Sequence, residues 1–91
     1  MSHMIRDKAR LLARVRRLKG QIEAIERSLE DEAPCAETLN LVASVRGAVT
    51  GLTAELIEEH IQEHVAGPQQ DASARQQGAA ELIEVIRRYL K

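Results

Sequence analysis

Apolar residues recur at alternating steps of four and three through the N-terminal third of the chain, and this spacing constrains the fold more than any other feature. The series is Leu11, Val15, Leu18, Ile22, Ile25 and Leu29. Steps of four and three place side chains on one face of an α-helix, as in the packing face of a coiled coil. The pattern predicts a first helix over residues 5–31.

A second series with the same steps follows a break at residues 31–34. It consists of Val42, Val45, Val49, Leu52 and Leu56, and His60 falls on its continuation. Pro34 suits the first turn of a helix, and the run Ala66-Gly67-Pro68 suits a helix end. The second helix is therefore predicted over residues 34–65.

The remainder of the chain predicts a linker over residues 67–78 and a short third helix over residues 79–90. No strand pattern occurs, so we expect one all-α domain over residues 1–91, a three-helix protomer. Two helices in a hairpin cover only half of their apolar stripes. Two hairpins make a four-helix bundle, so we expect an obligate dimer or a dimer of dimers.

Charge and cysteine content restrict the partners and the compartment. Residues 1–20 carry seven Lys/Arg against one acid, and residues 21–91 carry six against thirteen acids. A basic end on an acidic body is typical of a chain that meets a polyanion with one element. One cysteine excludes an intrachain disulfide and suits a reducing cytosol, and no apolar run approaches the ~20 residues of a membrane span. We expect a soluble cytoplasmic protein with no signal peptide.

Four side chains could ligate a transition metal: His3, Cys35, His60 and His64. His60 and His64 are four residues apart, which puts both imidazoles on one helical face. A thiolate with imidazoles suits borderline divalent metals. Cys35 lies about 25 residues before His60, or about 38 Å along one helix, so a shared site would have to form between antiparallel subunits. The alternative is a small core cysteine and a solvated histidine pair.

A basic stripe runs along the first helix. Its members are Arg6, Arg10, Arg14 and Arg17, with Lys19 beside them and Arg46 early in the second helix. Arginine binds phosphate bidentately, so such a row could follow a DNA backbone. The alternative is a solvated helix face, which would fit a metal-buffering bundle without a DNA function. No nucleotide motif or substrate-binding domain is present, and we do not expect an enzyme.

With these residues in hand, the chain resembles the CsoR/RcnR family of small all-α bacterial repressors. The segments that carry the resemblance are Arg14-Val-Arg-Arg-Leu-Lys-Gly-Gln21, Ile25-Glu-Arg27, Cys35, Val42-Ala-Ser-Val-Arg-Gly-Ala-Val49, Gly51-Leu52 and Glu55 to His64. The resemblance implies an antiparallel four-helix-bundle dimer that assembles into a dimer-of-dimers tetramer. It also implies a repressor that binds operator DNA and releases it when an effector binds, which derepresses an efflux or detoxification gene.

Carried onto this sequence, the family's metal ligands are His3, Cys35, His60 and His64, with the N-terminal amine of Ser2 as a further candidate once Met1 is removed. The DNA surface consists of Arg14 and Arg17, supported by Arg10, Lys19 and Arg46. The opening Met1-Ser-His-Met-Ile-Arg-Asp-Lys8 is similar to the nickel- and cobalt-sensing branch, which implies Ni(II) or Co(II) as effector, with Zn(II) as a third candidate.

Two alternatives to this assignment stay open. Arg14 to Gln21 and Glu26-Arg-Ser-Leu29 are also similar to the formaldehyde-sensing branch, in which Cys35 and the Ser2 amine would be joint nucleophiles. The tripeptide Ser2-His3-Met4 is also typical of a cloning remnant, in which case His3 would be foreign to the natural site. The similarity of the whole opening segment to the nickel and cobalt branch favours a natural terminus.

Overall fold

The computed structural model describes residues 7–68 and 70–90. This part of the chain forms three α-helices and no strand: α1 is Lys8–Glu30, α2 is Cys35–His64 and α3 is Ala72–Tyr89. The predicted all-α fold of three helices is confirmed. Ser2, His3 and Arg6 lie outside the described residues, and so do the predictions made for them. Within the described ranges, no helix has the length and apolar character needed to span a bilayer.

The chain divides into two compact units between Thr53 and Ala54, so that α2 contributes to both. The N-terminal unit holds α1 and the first part of α2. The C-terminal unit holds the last part of α2 and α3. The expectation of a single domain stays a prediction.

Hydrogen bonds between side chains show that α1 and α2 run antiparallel in the N-terminal unit. Gln21 Nε2 donates to Ser44 Oγ at 3.2 Å. Nearer the turn, the hydroxyls of Ser28 and Thr38 are 2.7 Å apart. Partners further along α1 therefore meet partners earlier on α2. The reversal between them includes Glu32 with φ of 52°, a left-handed conformation that redirects the chain after α1.

The apolar stripe of each helix alternates between two positions of the heptad, and the hairpin covers the residues at only one of them. On α1, Leu11 is 6% exposed, and Leu18 and Ile25 are half-buried. On α2, Val45 and Leu52 are half-buried. Residues seven apart lie on nearly the same side of a helix, so each of these sets forms one edge of the predicted stripe. Leu11 is the one large hydrophobic residue of the described part that is buried.

The other heptad position stays exposed, and we call its residues in this unit the exposed heptad stripe. Its members are Val15, Ile22 and Leu29 on α1 and Val42 and Val49 on α2. Ile22 is 51% exposed and Leu29 64%. Exposed apolar residues in a continuous row mark an interaction surface more often than isolated ones do.

The C-terminal unit contains the largest difference from the sequence-based expectation. Helix α3 begins at Ala72, whereas residues 67–78 were predicted to be a linker, so that prediction is wrong from residue 72 onwards. The reason is the cap: the Asp71 carboxylate accepts a hydrogen bond from the Ala74 N–H at 2.8 Å. Such a cap satisfies an otherwise unpaired donor at the helix start. The alanine, arginine and glutamine residues that follow are also good helix formers.

Candidate functional site

The last turn of α2 brings two of the predicted metal ligands together. The ring centroids of His60 and His64 are 4.9 Å apart, with the ring planes tilted by 45°. The His60 side chain is 26% exposed and His64 is half-buried. Two nitrogens bound to one ion at about 2.1 Å can lie at most about 4.2 Å apart. The centroid distance of 4.9 Å places the two rings side by side on one helical face, as ligands of one ion must be.

His60 continues the apolar series of α2, where an imidazole needs a polar partner, and the structure provides one. Its Nε2 lies 2.8 Å from the carbonyl oxygen of Gly78 on α3. A carbonyl can only accept, so Nε2 carries the proton and donates it. The Nδ1 of the neutral ring then keeps its lone pair. Glu81, one turn further along α3, places Oε1 3.9 Å from the same Nε2.

Gly78 also sets how closely α3 approaches the end of α2. A Cβ atom added at Gly78 would overlap the carbonyl oxygen of His64. It would also lie 2.8 Å from the carbonyl carbon and 2.9 Å from the Cβ of His64. Gly78 is buried, and a larger residue could not lie this close to His64 without moving the helix.

Cys35 is the first residue of α2 and His64 is the last. The Cys35 thiol is exposed and not in a disulfide. Among the residues that the structure describes, no three His, Cys, Asp or Glu side chains of the protomer come together closely enough to hold a metal ion. His3 lies outside those residues. Of the predicted ligands that the structure describes, His60 and His64 come together and Cys35 does not join them, and the imidazole pair fits a borderline divalent metal that obtains further ligands elsewhere.

The predicted DNA-contacting residues lie along α1 and early in α2. Arg10, Arg14 and Arg17 occupy successive turns of α1, and Lys19 and Arg46 are exposed. Arg10 Nη2 lies 3.3 Å from Asp7 Oδ2, with both side chains more than half exposed. An ion pair of this kind is screened by water and weak enough for a phosphate to replace the acid.

Arg14 and Arg17 line the same groove between α1 and α2, with a volume of about 510 Å³. Its apolar lining includes Leu18 and Leu52. A Cβ atom added at Gly51 would overlap the guanidinium of Arg14. Gly51 therefore leaves the space on α2 in which the Arg14 head group lies.

Sequence reasoning missed Gly78 and Glu81, two residues of α3 that lie beside His60. Gly78 was hidden by the prediction of a linker up to residue 78, whereas Glu81 lay in the predicted third helix but was given no partner. A signal was present: Asp71 is a good N-cap residue, and a helix starting there puts residues 78 and 81 on one face. Nothing local indicated that this face would meet the end of α2.

Comparisons with known proteins identify a family of transcriptional repressors. The sequence profile of a family described as metal-sensitive transcriptional repressors matches residues 7–88. A protein from the region 5′ of bioA in Serratia marcescens, described as uncharacterized, is 48% identical over the whole length of both chains. The transcriptional repressor RcnR of Salmonella paratyphi B is 38% identical, also over the whole length of both.

One solved structure is similar as well. It is a glutamate-to-histidine variant of the formaldehyde-responsive regulator FrmR from Salmonella enterica serovar Typhimurium. It superposes with a TM-score of 0.87 at 41% identity, covering 96% of this chain and 98% of that one.

Proposed function

Because the chain belongs to the metal-sensitive transcriptional repressor family, the CsoR/RcnR family that its sequence resembles, we propose that it represses transcription by binding operator DNA and releases that DNA when an effector binds. The family consists of repressors, so the expectation that the chain is not an enzyme is confirmed. A DNA target implies that the protein works in the cytoplasm.

The effector that we propose is Ni(II) or Co(II), with Zn(II) as a third candidate. The observation that carries this proposal is the imidazole pair in the last turn of α2, in which Nε2 of His60 donates to Gly78 and Nδ1 is left as the ligand atom. A ligating histidine usually donates its second ring N–H to such a partner, which fixes the tautomer and orients the ring. The similarity to RcnR supports the same effector class.

Cys35 and His3 would complete the ligand set, with the Ser2 amine as a fifth group. Since α2 carries Cys35 at one end and His64 at the other, a helix of 30 residues separates thiol from imidazole, about 45 Å at 1.5 Å per residue. We therefore place the complete site between subunits. The free energy of metal binding would then depend on how the subunits are arranged. By linkage, DNA must weaken metal binding by the same factor by which metal weakens DNA binding.

A subunit interface is supported by the exposed heptad stripe. Its valine, isoleucine and leucine side chains continue the periodicity of the covered set but stay 38–64% exposed in the hairpin. A second copy presenting the same stripe would complete an antiparallel four-helix bundle, and two such dimers would form the tetramer.

The DNA surface that we propose consists of Arg14 and Arg17, with Arg10, Lys19 and Arg46 in support. Replacing Arg14 and Arg17 by alanine should weaken operator binding and flatten its salt dependence, by about 0.9 in the log–log slope for each phosphate that is no longer neutralised. Arg88→Ala is the matched control, because Arg88 lies on α3 and pairs with Glu84 at 3.0 Å. In a metal-buffering bundle without a DNA function, the replacements of Arg14, Arg17 and Arg88 would all have the same effect on DNA binding.

A second candidate effector is formaldehyde, and the observation that favours it is the similarity to the FrmR structure. The exposed thiol of Cys35 would attack formaldehyde, and condensation with the Ser2 amine would release water and leave a methylene bridge. The thiol and the amine each lose a proton in this condensation. The product gains CH₂O (about 30 Da) and loses H₂O (about 18 Da), so it is about 12 Da heavier than the starting protein.

The test is a Co(II) titration of the reduced protein, followed by optical absorption. An intense thiolate charge-transfer band with weak d–d bands, saturating at one ion per protomer, is the expected result. Cys35→Ser should remove the charge-transfer band and leave the imidazole ligands. Addition of Co(II) should then release operator DNA from the parent protein. Strong d–d bands would indicate a tetrahedral site and favour Zn(II).

The formaldehyde alternative is decided by mass spectrometry of the same preparation. A bridged species at low formaldehyde, with loss of DNA binding and no thiolate–Co(II) band, would replace the metal proposal. An unmodified Cys35 under those conditions would eliminate formaldehyde as the effector.

A further inference from the structure

Gly78 contacts both histidines of the last α2 turn, and it does so with two different parts of its backbone. Its carbonyl oxygen accepts the hydrogen bond from His60 Nε2 at 2.8 Å. Its Cα lies against His64, and the space between them has no room for a Cβ atom. A single residue of α3 thus touches both imidazole-bearing residues.

The two contacts depend on each other. The carbonyl reaches His60 because α3 lies close to α2, and α3 lies close because residue 78 has no Cβ. With alanine at this position, the new methyl carbon would start 2.8 and 2.9 Å from His64 atoms, whereas ordinary contact begins at 3.4 Å. The helix would have to retreat by at least about 0.6 Å, and the same retreat would stretch the 2.8 Å hydrogen bond to about 3.4 Å, outside the usual range.

We propose that Gly78 is the positioning residue of the imidazole pair: its carbonyl holds His60 in the Nε2–H tautomer, and its missing side chain allows α3 to lie close enough to do so. The consequence for metal binding rests on the proposed function, but the tautomer of His60 does not. Glu81 is a secondary partner, because its carboxylate is 3.9 Å from Nε2 and half exposed.

The first experiment needs no metal. In protein labelled with ¹⁵N in its histidine rings, long-range ¹H–¹⁵N NMR distinguishes the two neutral tautomers. We expect His60 as the Nε2–H tautomer in the parent protein, and in Glu81→Ala as well. A mixture or the Nδ1–H tautomer in the parent would overturn the proposal. Loss of the Nε2–H tautomer in Glu81→Ala would assign the role to Glu81 instead and overturn it too.

The second experiment compares Gly78→Ala with Gln76→Ala. Gln76 is exposed on the same helix, and its replacement also creates an alanine. We expect Gly78→Ala to lose the tautomer preference and to bind Co(II) about 10- to 100-fold more weakly in competition with a chelator, as loss of a ligand-orienting partner does. Gln76→Ala should match the parent in both measurements.

The outcomes separate this proposal from the proposed function. If the parent binds no Co(II), metal sensing fails, while the NMR result on the parent still decides the role of Gly78. If the parent binds Co(II) and Gly78→Ala binds it equally well with an unchanged tautomer, metal sensing stands and the role of Gly78 is refuted. Should Gly78→Ala fail to fold, the parent and Glu81→Ala spectra decide alone.

Discussion

Replacing Ile22 by alanine tests whether the exposed heptad stripe is the interface between two copies of the chain. Ile22 is 51% exposed in the hairpin, so about half of its transfer free energy is still to be gained. Full burial of an isoleucine side chain contributes about 1.5–3 kcal/mol, which leaves about 0.8–1.5 kcal/mol per copy. In a two-fold symmetric dimer the residue counts twice, so Ile22→Ala should weaken association by about 1.5–3 kcal/mol.

This loss corresponds to an increase of about 10- to 150-fold in the dimer dissociation constant, measured by sedimentation equilibrium. If the parent dimer is too tight for sedimentation, the same difference appears as a lower Tm of Ile22→Ala than of the parent at equal protein concentration. Glu23→Ala is the control, because Glu23 is exposed on the next residue of α1 and lies about 100° away from Ile22 around the helix. Equal dissociation constants for the two variants would refute the reasoning, as would a parent protein that is monomeric.

Three further variants test the fold and the DNA surface. Leu11→Ala should lower the free energy of unfolding by about 2–5 kcal/mol in urea titration, whereas Leu11→Met, which keeps the volume, should lower it by less than about 1.5 kcal/mol. Asp71→Ala should cost about 0.5–2 kcal/mol through loss of the α3 cap and Asp71→Asn much less; equal costs would argue against a capping role. Gly51→Ala should displace the Arg14 head group and weaken operator binding with unchanged helicity by circular dichroism. Gly47→Ala, where an added Cβ meets nothing within 4 Å, should bind as the parent does.

Local sequence patterns predicted most of the fold. The four–three spacing placed α1 and α2 within a few residues of their observed ends, because that spacing follows from the period of the α-helix itself. The third helix was predicted to start seven residues too late, at residue 79 rather than 72. Its first part has no apolar stripe, and the signals that start it are a cap and helix propensity, which are weak compared with periodicity.

The candidate site was only partly predictable. The four-residue spacing of His60 and His64 placed the two rings together, as the structure shows. Their partner was not predictable, because a backbone carbonyl is present at every residue and carries no sequence signal. Gly78 was visible only as a glycine in a supposed linker.

The sequence by itself determined the helices, their apolar stripes, the basic α1 and the histidine pair, since each depends on residues within a few turns of one another. The tertiary structure decided which edge of each stripe is covered and which is left exposed. It also decided which nitrogen of His60 donates, through a hydrogen bond to a residue 18 positions away. Such choices depend on how closely two helices approach, and that distance is set by side-chain volume at the point of contact, here the absence of a Cβ at Gly78.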